Sequence, residues 1–147
     1  MAFTAGQKLT AAALSVFNSG GTTLSNDTAA ATATFEQWGT ETVVFTNPAA
    51  AVKVTARVTG QLQNTLNTDS NGAARVGISF DGGATFTYGN SPGANQGTTS
   101  GTRCLTGAGH YRTGTPTGNI VVRAEFSVST TNISALNGFI EAVMVPA

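Results

Sequence analysis

Val52-Lys53-Val54-Thr55-Ala56-Arg57-Val58-Thr59 places an apolar side chain at every second position and a polar one between. A period of two belongs to an extended strand, whose side chains leave opposite faces of a sheet in turn. The stretch therefore reads as a strand with one dry and one wet face. The pattern returns at Ile120, Val122, Ala124, Phe126 and Val128, which alternate with Val121, Arg123, Glu125 and Ser127. It returns again at Ala74, Val76, Ile78 and Phe80, opposite Arg75, Gly77, Ser79 and Asp81. Each dry face needs another sheet to cover it.

Outward from these strands, turn signals divide the chain at short intervals. Asp81-Gly82-Gly83 marks a hairpin leading into Ala84–Tyr88. Glu41–Thr46 reads as a strand closed by Asn47-Pro48, with Trp38 just before a bend at Gly39. Residues 61–72 read as a polar loop and residues 89–101 as a long, exposed Gly/Ser/Thr/Asn/Pro loop. Thr102–Thr113 reads as a strand interrupted at Gly107 and Gly109, and Asn137–Val145 as the closing strand. Seven or eight short strands with no helix between them predict an all-β fold, an antiparallel β-sandwich or jelly roll. Only Met1–Phe17 suits a helix: Thr10 can cap AAALSVF, and Leu9, Ala13 and Phe17 form one apolar stripe. Asn18-Ser19-Gly20-Gly21 reads as its stop. The expected organisation is an N-terminal arm or short helix over 1–21 and a sandwich domain over 22–147.

Composition narrows the function. Of 147 residues, 65 are Thr, Ala or Gly, and only 10% are charged, against roughly 25% in an ordinary globular protein. Seven basic and seven acidic residues cancel, and the basic ones stand singly. A nucleic-acid partner, which demands a basic field, is not expected. No run approaches the 18 or so apolar residues of a membrane-spanning helix, and the N-terminus lacks the charged and apolar regions of a secretory signal. A near-neutral surface lacks self-repulsion, which suits a subunit of a larger assembly.

Catalytic chemistry finds few candidates. Cys104 and His110 lie six apart, and on a continuous strand they would stand roughly 20 Å from each other, beyond proton transfer. The one Cys excludes an intrachain disulfide. Asp69-Ser70-Asn71-Gly72 offers oxygens in a loop but not calcium-loop spacing, so an Asx turn is expected there. No enzyme activity, metal or cofactor is expected. A glycan-binding face would draw on Trp38, Tyr88, Tyr111 and Arg112, with Asn90, Asn95 and Gln96 as polar contacts.

Ser79-Phe80-Asp81-Gly82-Gly83-Ala84-Thr85-Phe86 resembles the Asp-box of sialidases and other propellers, S/T-x-D-x-G-x-T-W/F, at every defined position. The resemblance implies a hairpin remote from any catalytic centre, with Phe80 and Phe86 in or near the core. A second resemblance lies in FTAGQKLTAAALSVF, Phe3–Phe17, which is similar to the opening of small structural proteins of phages infecting actinobacteria. Their form is F-x-A-G-Q-x-L-T-A-A-x-L-N; Phe3, Ala5, Gly6, Gln7, Leu9, Thr10, Ala11, Ala12 and Leu14 fit, while Ser15 replaces Asn. It implies a virion component, assembled in the host cytoplasm, of the tail, tail tip or fibre. The arm would dock on other virion structural proteins through Phe3, Leu9, Leu14 and Phe17. The protein would form a homo-oligomer, trimeric or higher. A capsid decoration or head-associated protein shares these features, and a host-surface glycan-binding module is the third expectation.

Overall fold

The three alternating stretches at 52–59, 74–81 and 120–128 become long inner strands of two sheets. The computed structural model describes residues 16–28, 34–65, 71–91, 93–95, 101, 103–129 and 133–147. Among these, the strands in chain order are β1 (Asn18–Leu24), β2 (Asp27–Thr28), β3 (Glu36–Gln37), β4 (Val43–Phe45), β5 (Val52–Asn64), β6 (Asn71–Ser79), β7 (Thr87–Tyr88), β8 (Gly93–Asn95), β9 (Arg103–Gly114), β10 (Ile120–Val128) and β11 (Ile133–Pro146). One sheet runs β1-β11-β5-β9, with β2 also on β11. The other runs β3-β10-β6-β7, with β4 also on β10 and β8 on β6. All pairings are antiparallel. Most successive long strands switch sheets, and the first and last lie side by side. This is a jelly-roll β-sandwich.

Alternation dictates the core. Val52, Val54, Ala56, Val58 and Leu62 of β5 face inward with Ile133, Ala135, Ile140, Ala142 and Met144 of β11. They meet Ala74, Val76 and Ile78 of β6 and Ile120, Val122, Ala124, Phe126 and Val128 of β10 from the opposite sheet. Trp38 is fully buried among them, edge-on to Phe126 with ring centroids 5.9 Å apart. Its ring occupies space left by two glycines. A Cβ at residue 138 would lie 2.8 Å from the indole, and one at residue 60 would overlap Trp38 Cη2. Gly138 sits where β11 bulges against β5, between Leu136 and Phe139, beside Asn137 at φ 51°.

Several expectations need correcting. Asn18–Gly21 is not a stop: it is the first half of β1, paired with β11 from Asn18↔Met144 onward. A boundary at residue 21 would therefore cut a strand. Gly20 and Gly21 work there because the small residues make room for Val43 on the inside and Phe139 on the outside. The expected polar loop shortens, since β5 continues to Asn64 and β6 begins at Asn71. Within the expected loop 89–101, Gly93–Asn95 pairs with β6. Gly107 and Gly109 do not interrupt β9, because β5 supplies an unbroken ladder from Gln63↔Arg103 to Val52↔Gly114. The expected helix lies outside the described residues up to residue 15; Val16 is in a turn and buried.

Filling the space under Trp38 should therefore be costly. Gly60→Ala is expected to destabilise the fold by about 1–3 kcal/mol, as overpacking does. Thermal denaturation should show a midpoint lowered by several degrees.

Candidate functional site

The hairpin after β6 is built from the side chains of its own turn. Gly82 and Gly83 take φ values of 78° and 97°, which side chains disfavour, and no neighbouring atom would obstruct a Cβ at Gly82. Asp81 Oδ1 accepts the Ser79 hydroxyl at 2.6 Å and the Thr85 N–H at 2.9 Å, while Oδ2 accepts the Thr85 hydroxyl. The Gly83 N–H donates to Ser79 Oγ at 2.9 Å. The Ser79 hydroxyl above all, then the Thr85 hydroxyl and N–H, hold the Asp81 carboxyl well below the usual carboxylate range. The backbone ties the turn across the sandwich end: Gly82 N–H donates to Asn119 O, and Thr117 and Gly118 N–H donate to Phe80 O.

The hairpin delivers Phe86 and Tyr88 onto the outer face of the β10-β6-β7 sheet. Register sets Glu125 opposite Arg75, and Arg123 beside Gly77, which in turn pairs with Tyr88. Arg75 Nε donates to Glu125 Oε2 at 2.7 Å, and its Nη2 lies 2.6 Å from the same oxygen. Arg123 Nη2 reaches Glu125 Oε1 and the Tyr88 hydroxyl, both at 2.6 Å. Tyr88 donates its hydroxyl to Glu125 Oε1 at 2.7 Å. The Arg75 guanidinium lies 4.0 Å from the Phe35 ring centroid and 3.8 Å from that of Tyr88, and Arg123 lies 3.8 Å from that of Phe86. Gly77 makes this layer possible, since a Cβ there would come within 2.6 Å of Tyr88. The Glu125 side chain is only 4% exposed, and burial, followed by the bond to Glu125, pushes the Tyr88 phenol upward.

This plate was not singled out from the sequence. Its signal was the wet half of two alternating strands, where Arg75, Arg123 and Glu125 stand in a chain of few charges. Its polar atoms mostly satisfy one another, so chemically it fastens the hairpin to β10.

The expected glycan residues do not converge. Trp38 is buried and cannot offer its ring to a sugar, a correction that follows from the glycines beneath it. Tyr88 is engaged in the plate. Tyr111 is 64% exposed but on the other sheet, with Lys53 Nζ 5.1 Å from its ring centroid. Arg112 folds over Phe80 and donates to Ile78 O at 3.0 Å. Asn90 lines an open hollow of about 720 Å³ with Ser91, Gly107, Ala108 and Gly109. Asn95 is on β8, and Gln96 lies outside the described residues.

His110 Nε2 stands 3.3 Å from Thr87 Oγ1, and burial, then the Arg112 charge, lowers its basicity. Cys104 is six residues away along the unbroken β9, about 20 Å on an extended chain. The described residues hold no group of three or more His, Cys, Asp or Glu side chains placed for a metal. Asp69 lies outside them.

The other sheet presents an apolar outer stripe. Phe17, Phe139 and Val143 are 44%, 41% and 49% exposed. Ser19, Gly20 and Gly21 of β1 line a shallow hollow of about 340 Å³ with Phe139, Val143 and, between these two, Glu141 opposite Gly21. Phe17 lines a second of about 370 Å³ against Val143, Met144 and Val145. Of the expected docking residues, Phe17 is thus on this stripe; Phe3, Leu9 and Leu14 lie outside the described residues.

No family model matches the chain, and no curated protein matches it. Solved structures do. One of infectious bursal disease virus, Gx strain, is 13% identical with a TM-score of 0.47, over 86% of this chain and 32% of that one. The VP2 subviral particle of the same virus gives 11% and 0.41 over 86% and 32%. CBM35 from Cellvibrio japonicus Abf62 gives 15% and 0.32 over 68% and 63%. The chain spans about a third of the length of the viral proteins it matches.

Two measurements probe the described clusters. Glu125→Ala leaves two half-buried guanidinium groups without their shared anion, and urea unfolding should show a loss of about 2–4 kcal/mol. At the sandwich end, the Ser25 hydroxyl and N–H draw the Glu41 carboxyl down from 4.5 to about 2. A depressed carboxyl contributes stability that is complete above its unfolded pKa and lost as pH falls through the folded one. Glu41→Gln should therefore be less stable than the parent at pH 7. The difference should shrink between pH 4.5 and 2 in unfolding curves followed by circular dichroism.

Proposed function

We propose that this chain is a structural component of a bacteriophage virion, built into the tail, its tip or a fibre as one copy of a symmetric homo-oligomer. The observation that carries the reading is the Phe3–Phe17 segment, with its resemblance to the opening of actinobacterial phage structural proteins. The fold supports it in a way that needs no ligand. A jelly roll with few charges offers broad, smooth faces, and small Thr, Ala and Gly side chains permit close subunit approach at little cost in ordering.

In this reading the N-terminal segment docks on another virion protein through Phe3, Leu9, Leu14 and Phe17. Phe17 is itself exposed just before β1, so this apolar contact reaches the sandwich. The role is non-catalytic, with other virion proteins as partners and neither nucleic acid nor membrane among them. A glycan-binding role gains no support from Trp38, Tyr88, Tyr111 and Arg112, which are dispersed over the core and two separate faces.

Imaging intact particles at side-chain resolution tests the assignment. Density at the tail is expected; density on the capsid lattice would make the protein a head decoration, and its absence from particles would end the virion reading. Deleting residues 1–15, which spares the buried Val16 and all of β1, should leave a folded sandwich that no longer joins the particle.

A further inference from the structure

We propose that the outer edge of β1 is a self-association surface, on which a second copy of this chain adds its own β1 antiparallel about a twofold axis near Gly21. β1 is the last strand of its sheet, hydrogen-bonded to β11 on one side and, among the described residues, to no strand on the other. Its sequence, NSGGTTL, contains no charge and no proline, and its seven residues pair with β11 without a bulge. Those are the devices that ordinarily keep an edge from pairing with another chain. The opposite edge of the same sheet is treated differently. There Arg112 reaches across to donate to Ile78 O of β6, and Gly89 packs against the Gly109 carbonyl and His110. Among the described residues, another segment packs against the β9 edge and no strand pairs with the outer edge of β1.

The side chains around β1 fit a like partner. With no Cβ at Gly21, the Phe139 ring lies across the strand toward the open edge, its Cζ 2.8 Å from where that Cβ would be. Antiparallel addition centred on Gly21 sets Ser19 of each copy opposite Thr23 of the other. At a strand spacing of about 4.8 Å it brings the two Phe139 rings together over the paired glycines. Val143, opposite Ser19 on β11, lengthens this apolar seam. The neighbouring charges, Arg57 and Glu141, are paired with each other. A second copy therefore meets no repulsion, whereas a strongly charged partner would find no countercharge on β1. The contact is self-complementary, as a twofold interface requires. It holds whether or not the virion reading does.

Sedimentation velocity of the full chain over a concentration series tests it. An assembly with a dimer as its smallest step is expected. Ser19→Lys and Thr23→Lys, which place charges on exposed edge positions, should each weaken that step about tenfold or more. Val44→Lys, at an exposed site on the other sheet, should leave it unchanged. In a Cys104→Ser background, an oxidised equal mixture of Ser19→Cys and Thr23→Cys chains should form a disulfide-linked dimer that neither variant forms alone. A chain that stays monomeric throughout, or one that associates unaffected by both lysines and gives no 19–23 cross-link, overturns the proposal.

Discussion

The dry layer between β5 and β11 on one side and β6 and β10 on the other is the constraint from which the rest follows. Neither sheet can leave its apolar face to water, so the two must stack, and the stack fixes which residues look outward. β11 is central to this arrangement. It is hydrogen-bonded to β1 and β5 together, so the last residues of the chain complete the sheet that the first described strand borders. The hairpin, the charged plate and the apolar stripe are all laid on the outside of that layer, at positions its alternation assigns.

Four strand glycines shape the molecule by yielding space to a ring. Gly60, with Gly138 at the bulge, admits Trp38 into the core; Gly77 seats Tyr88 and Phe86 on one outer face; Gly21 seats Phe139 on the other. A glycine inside a strand weakens it, and such positions persist where another group must come close. Here the approaching group is aromatic each time. The same device therefore sets the core, the plate that anchors the hairpin, and the relief of the open edge.

The few charges are used with equal economy. Arg75 and Arg123 share the single carboxylate of Glu125 over the β10-β6 ladder, and Arg57 pairs one-to-one with Glu141 on the opposite sheet. What remains exposed is largely hydroxyl, amide and small apolar surface.

The all-β class, the three principal strands and the hairpin at Asp81-Gly82-Gly83 were legible in the sequence, since a period of two and a turn signal are local properties of the chain. The strand at Asn18–Leu24 was not: Gly20 and Gly21 are poor strand formers by themselves, and only the ladder to β11 and the rings above and below them hold them extended. Trp38 could not be placed either, because an aromatic residue near a bend is equally suited to a surface platform and a core. What buries it is a cavity created by Gly60 and Gly138, far from it in sequence. The plate likewise depends on register, which sets Glu125 against Arg75 across the sheet. Sequence by itself determined which face of each strand is wet, as that is decided residue by residue. Tertiary structure alone decided which wet residues meet, because long-range pairing between strands is a property of the closed sandwich and of no single segment.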